Sequence, residues 1–106
     1  MTRHINDILA ECEGFQWDDG NAAKLRARHR VKPAECEQLF VQLPLLISAD
    51  EAHSQTEDRW RALGQTADHR LLFVVFTVRS KLIGVLQARP MNRKERQIHD
   101  EAKART

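Results

Sequence analysis

Residues 71–96, LLFVVFTVRSKLIGVLQARPMNRKER, decide how this chain folds. Residues 71–78 are rich in aromatic and β-branched side chains, the composition of a strand. They are apolar at odd and even positions alike, so this strand is expected in the middle of a sheet. Ser80 and Lys81 mark a tight reversal into a second strand over 82–89, and Pro90 ends it. Asn92 and Glu95 then form an N-x-x-E arrangement, which starts a final helix in the manner of a capping box. Pairing register decides what this hairpin displays, because a slip of one residue exchanges the two faces of a strand. With residue 79 opposite 83, Leu72, Val74, Phe76 and Val78 share an apolar face with Leu82, Gly84, Leu86 and Ala88. The same register puts Thr77, Arg79, Gln87 and Arg89 on the other face. Placing 79 opposite 82 would bury Gln87 and Arg89, and the cost of an unpaired buried charge argues against it.

Upstream, Glu57, Arg59 and Arg61 alternate with Asp58, Trp60 and Ala62 at the strand period, which predicts a third strand over 57–64. Its charged side would join the Thr77 and Arg79 face. Helices are expected over 4–12, from Asp18 or Asp19 to about Arg28 with Ala22, Ala23 and Leu25 inward, and from Pro33 to a point before Pro44. Short strands are expected at 15–17 and 45–47, a polar loop at 48–56, and a thin apolar stripe of Ile98 and Ala102 on the final helix.

At 106 residues the chain has room for one modest core, which argues for a single domain over 15–106 preceded by a helical extension at 1–14. The expected fold is α+β, an antiparallel sheet with helices on one face and a cationic open face. No apolar run is long enough to span a bilayer, and the opening MTRHINDILAEC lacks the order of a signal peptide, so a cytoplasmic location without membrane contact is expected. Cys12 and Cys36 lie in helical patterns with neither CxxC nor paired His spacing, which points to free thiols and to no metal site or other cofactor. The net charge is only +2, but it is segregated. Lys24, Arg26, Arg28, Arg30 and Lys32 form a run without an acid, residues 33–58 carry acids alone, and arginines outnumber acids from residue 59 onward. Such segregation suits a polyanion on one surface and a basic partner on another.

The odd-numbered face thus gathers one carboxylate, Glu57, among guanidinium groups. RNA cleavage by a neighbouring 2′-OH needs a proton acceptor, cations for the charge growing on phosphorus, and help for the leaving oxygen. Arginine serves the second need through its planar, permanently charged fork. An ion-pair lattice between Glu57 and its neighbours is the alternative for these residues.

The ordered motifs Phe15-x-Trp17-Asp18-Asp19-Gly20-Asn21-x-x-Lys24, Arg28-His29-x-Val31, Asp50-x-x-His53 with Glu57-x-Arg59, Ala62-Leu63-Gly64, Val74-Val75-Phe76-Thr77-x-Arg79 and Ala88-Arg89-x-Met91-x-Arg93-Lys94-Glu95 closely resemble the BrnT family. The resemblance covers residues 15 to about 100. It implies a RelE-like fold and an endoribonuclease toxin of a type II toxin–antitoxin pair, which attacks RNA without a metal and inhibits growth until an antitoxin binds. The implied partners are RNA and a BrnA-like ribbon-helix-helix antitoxin, in a toxin–antitoxin oligomer. Glu57, Arg59, Thr77, Arg79 and Arg89 are the implied catalytic residues, with Glu57 as candidate base. Lys24, Arg28, His29, His53, Gln87, Arg93 and Lys94 are the expected RNA contacts. A module that binds antitoxin or RNA without cutting is the alternative function. Three positions depart from the family pattern. Arg30 replaces a glycine, so a positive φ is not expected there. Gln87 replaces a common serine. His99 replaces a frequent tyrosine and is expected on the exposed side of the final helix.

Overall fold

The structure is a computed structural model and describes residues 4–54 and 56–105. Residues 1–3 of the expected N-terminal extension, Gln55 of the polar loop and Thr106 lie outside the described residues. Among the described residues four α-helices, α1 (Ile5–Ala10), α2 (Asp19–His29), α3 (Pro33–Leu39) and α4 (Arg93–Ala104), accompany five strands, β1 (Gly14–Gln16), β2 (Leu46–Ala49), β3 (Trp60–Gln65), β4 (Leu71–Arg79) and β5 (Leu82–Pro90). The strands form one sheet in the order β1-β5-β4-β3-β2. It is antiparallel except at one edge, where β1 runs parallel to β5. The α+β class is therefore as expected, and β4 is the central strand. Among the described residues no helix is long and apolar enough to cross a membrane.

The core follows from the burial of one face of this sheet. Leu72, Val74 and Phe76 of β4 are fully buried and pack with Ala62, Ile83, Val85 and Ala88 against Leu25, Val31, Cys36 and Leu39. Phe76 meets Phe40 edge-on at a centroid distance of 5.1 Å and stacks on Trp60 at 5.8 Å. Trp17 lies just past β1, and its indole N–H donates to the Glu37 carboxylate at 2.8 Å, tying α3 to the β1 edge. On α2 only Leu25 is fully buried, whereas Ala23 points to solvent, so the inward face of that helix is narrower than its alanines suggest.

The β4–β5 hairpin corrects the expected register in an informative way. Ser80 and Lys81 have φ of 50° and 64°, the left-handed conformation of a two-residue hairpin turn whose twist matches the strands. A loop of that length sets Arg79 opposite Leu82, Thr77 opposite Gly84 and Phe76 opposite Val85. The register then shifts by one, with Leu86 as the extra residue of a bulge, and Val75 faces Gln87 while Phe73 faces Arg89. Both registers occur, one at each end. The core face of β5 is consequently Ile83, Val85 and Ala88, and Leu82, Gly84 and Leu86 leave the apolar set that the uniform register assigned them. Gln87 and Arg89 stay on the open face, as the cost of burying them requires.

Two further expectations are reversed. Arg30 does take a positive φ, 54°, as the left-handed cap that ends α2, with its N–H on the Arg26 carbonyl. The guanidinium of Arg70 then binds the carbonyls of His29 and Arg30 at 3.1 and 2.8 Å, together with the Glu35 carboxylate, so the helix end is held by partners outside it. His99 is fully buried, and its Nε2 lies 3.2 Å from the Pro44 carbonyl. A carbonyl only accepts, so Nε2 carries the proton. The buried line of α4 runs through His99, and Ile98 remains 42% exposed. A left-handed residue with a β-carbon costs roughly 1–2 kcal/mol, part of which glycine's larger chain entropy would offset. Arg30→Gly is therefore expected to stabilise the fold by about 0.5–1 kcal/mol, read as a shift of the urea midpoint at unchanged m-value.

Candidate active site

The strand residues of the open face are placed by the pleat of β3, β4 and β5. Phe73, Val75, Thr77 and Arg79 alternate with the core-facing residues of β4, Arg61 faces Val75 from β3, and Gln87 and Arg89 face Val75 and Phe73 from β5. Arg79 and Arg89 therefore share a side of the sheet, but they stand at opposite ends of it. The six-residue offset between Arg79 and Phe73, the partner of Arg89, corresponds to about 20 Å of strand.

The Arg79 end is closed on itself. Arg79 donates from Nε and Nη2 to the two carboxylate oxygens of Glu57, at 2.7 and 2.5 Å. This two-point bond holds the Glu57 carboxyl below the usual carboxylate range, and the nearby guanidinium of Arg59 adds to the effect. Residues 57–59 precede β3 and lie outside it, so the strand period is not what presents Glu57 and Arg59. Thr77 does part of that work. It is 1% exposed and its hydroxyl donates to the Asp58 carbonyl at 2.8 Å, anchoring the segment to the sheet.

The other end is a cleft of about 360 Å³ lined by Asp50, His53, Arg59, Arg61, Phe73, Val75, Leu86, Gln87 and Arg89. Three arginines and a histidine thus converge on one concavity. Arg89 lies 4.0 Å above the Phe73 ring and bonds to both oxygens of Glu95 at 2.7 and 2.9 Å. Glu95 also accepts from the N–H of Asn92 in the capping box, so the turn that starts α4 fixes the position of the Arg89 fork. Arg61 reaches the Ala49 carbonyl at 3.1 Å. The Nε of Arg59 is buried and has no hydrogen-bond partner among the described residues.

Two neighbouring hollows extend the cleft. Gln87 and Leu86 also line one with Asn21, Lys24, Leu25, Arg28 and His29 of α2, and Arg61 and Phe73 also line another with Lys94, Leu46, Leu63 and Ile98. The expected contacts Lys24, Arg28, His29, His53, Gln87 and Lys94 therefore border three hollows that share lining residues. Arg93 does not, and borders a separate hollow with Arg96, Asp100 and Glu101. Arg61 and Asp50 were absent from the expected site. Arg61 could have been found from its strand parity with Arg59, and Asp50 from its spacing to His53.

Hydrogen bonds from Arg89 lower the Glu95 carboxyl from its ordinary value of 4.5, and the Asn92 N–H adds to this. A depressed folded-state value contributes stability that is complete above the unfolded value and lost as pH falls through the folded one. Unfolding free energy measured in urea is accordingly expected to drop below about pH 4.5, with a shallower drop in Glu95→Gln.

Residues 17–95 match the family described as ribonuclease toxin, BrnT, of type II toxin-antitoxin system. A search of curated proteins finds no match. The family match spans most of the chain and both ends of the open face, and the protein belongs to the BrnT family of type II ribonuclease toxins.

Proposed function

We propose that this protein is an active, metal-independent endoribonuclease toxin that cuts single-stranded RNA on the open face of its sheet. The observation that carries this reading is the convergence of Arg59, Arg61, Arg89 and His53 on one cleft. In cleavage by 2′-OH attack, negative charge grows on the non-bridging oxygens of the phosphate. Guanidinium groups fixed in advance by Glu95, the Ala49 carbonyl and the Phe73 ring meet that charge with little reorganisation. The hollow past Gln87 towards Lys24 and Arg28 suits the flanking phosphates. The Glu57–Arg79 pair, with Thr77, holds the segment that carries Arg59, and so acts on the cleft through position. Association with a BrnA-like antitoxin, in a toxin–antitoxin oligomer, would cover this cationic face and stop cleavage.

One observation favours a second reading, a module that binds RNA or antitoxin without cutting. Arg79 and Arg89 each already hold a carboxylate at two points. Under that reading the acids of a partner would replace Glu57 and Glu95.

Incubation with single-stranded RNA in excess chelator separates the two. The wild type is expected to cleave, Arg59→Ala and Arg89→Ala to lose about 10²–10³-fold in kcat, and Arg79→Ala to lose less, with a lower melting temperature. Intact RNA, combined with salt-sensitive binding, would establish the binding module instead. Binding should also weaken with salt. For Lys24→Ala/Arg28→Ala, the slope of log affinity against log salt is expected to fall by about 0.7 for each phosphate that the variant no longer neutralises.

A further inference from the structure

We infer that His53 is the general base of RNA cleavage and that Asp50 is the residue that positions it, an assignment that rests on the ribonuclease reading above. Asp50 and His53 stand at either end of the short 3₁₀ turn Glu51–His53 and its cap. His53 Nδ1 lies 3.0 and 3.2 Å from the two carboxylate oxygens of Asp50. An ionised carboxylate only accepts, so the proton of a neutral imidazole sits on Nδ1 and the lone pair of Nε2 is directed away from Asp50. The two side chains differ sharply in exposure, 12% for Asp50 and 68% for His53. A buried carboxylate orienting an exposed imidazole is the arrangement a proton acceptor requires.

The dyad is also strapped to the cationic cleft. Asp50 N–H donates to the Arg59 carbonyl at 2.8 Å, Ser54 Oγ donates to the Asp50 carbonyl at 2.7 Å, and the Arg59 N–H donates to that same Ser54 Oγ at 3.0 Å. The turn carrying His53 and the start of the segment entering β3 are therefore hydrogen-bonded to one another. The charged groups facing the imidazole across the cleft are Arg59 and Arg61 from the β3 side and Arg89 from β5, with Asp50 on its own turn. Three cations and one acid share the cleft with the acceptor, so a phosphate held by the arginines brings its 2′-OH neighbour to the histidine. Glu57 is less suited to the task, because both of its oxygens are engaged by Arg79.

In the step this implies, His53 Nε2 takes the 2′-OH proton as O2′ forms its bond to phosphorus. The P–O5′ bond breaks, O5′ takes a proton from water, and imidazolium returns its proton to solvent. The products are a 2′,3′-cyclic phosphate and a 5′-hydroxyl.

Rates of cleavage of a defined oligonucleotide across pH 5–8 by wild type, His53→Gln, His53→Gly and Asp50→Asn test the assignment. His53→Gln is expected to lose about 10²–10⁴-fold in kcat with little change in KM, and to lack the rising limb expected of the wild-type pH profile. Added imidazole is expected to restore part of the rate to His53→Gly. Asp50→Asn is expected to lower kcat with KM retained, while its thermal melt shows the fold intact. Wild-type kcat in His53→Gln, an unchanged limb, or a loss confined to KM would overturn the assignment and leave the ribonuclease reading standing. Failure of the wild type itself to cut RNA would overturn both.

Discussion

One extra residue in β5 determines which side chains this sheet shows to solvent. The two-residue turn at Ser80 and Lys81 requires Arg79 to face Leu82, and carried to the far end that register would turn Gln87 and Arg89 into the core. Inserting Leu86 as a bulge turns the rest of β5 over, so that Ala88 faces the helices and Arg89 faces water. The free energy at stake is that of burying a guanidinium without a partner, far larger than the local loss of one ladder hydrogen bond. The bulge residue also lines the cleft, and so does its neighbour Gln87. The local irregularity that rescues the core is thus the same feature that shapes the floor of the site.

Electrostatics on the open face divides into closed pairs and open positions. Arg79 and Arg89 are closed, each by a carboxylate that accepts two of its guanidinium N–H bonds. Partly exposed pairs of this kind contribute modestly to stability, so their value lies in fixing geometry. Arg89, pinned between Phe73 and Glu95, cannot sweep away from the cleft. Glu95 also completes the capping box with Asn92, and its side chain thereby couples the start of α4 to the cleft. Arg59 is the open position, with a buried Nε that finds no acceptor among the described residues.

Much of this was legible in the sequence, and the rest was not for identifiable reasons. The central strand could be read from its two apolar faces, and the start of α4 from the Asn92–Glu95 spacing, because each signal is local and chemical. The bulge could not, since it arises from a conflict between turn geometry at one end of the hairpin and burial at the other, and has no residue signature at Leu86. Arg30 misled because a positive φ is only a preference of glycine, and Arg70, forty residues away, supplies the compensating bonds to the helix end. His99 misled because a histidine that donates to one buried carbonyl is tolerated on a buried face, and that carbonyl belongs to Pro44. At the site, parity on β4 and β5 correctly gathered Thr77, Arg79, Gln87 and Arg89 on one side of the sheet. It could not measure the distance along the strands, and so it merged two clusters into one.

That separation changes what each cluster can do. A phosphate is a few ångströms across, and two arginines separated by about 20 Å of strand cannot both hold the same one. The end with Glu57 and Arg79 carries a carboxylate engaged at two points beside a threonine whose hydroxyl is spent on the backbone. The end with Arg59, Arg61 and Arg89 carries three cations and an imidazole whose outward nitrogen has no competing bond among the described residues. Proton transfer needs an accessible acceptor and charge stabilisation needs fixed cations, and only the second cluster supplies both at one place. Under the proposed reading the first cluster is scaffolding, in which Thr77, Glu57 and Arg79 clamp the segment that carries Arg59.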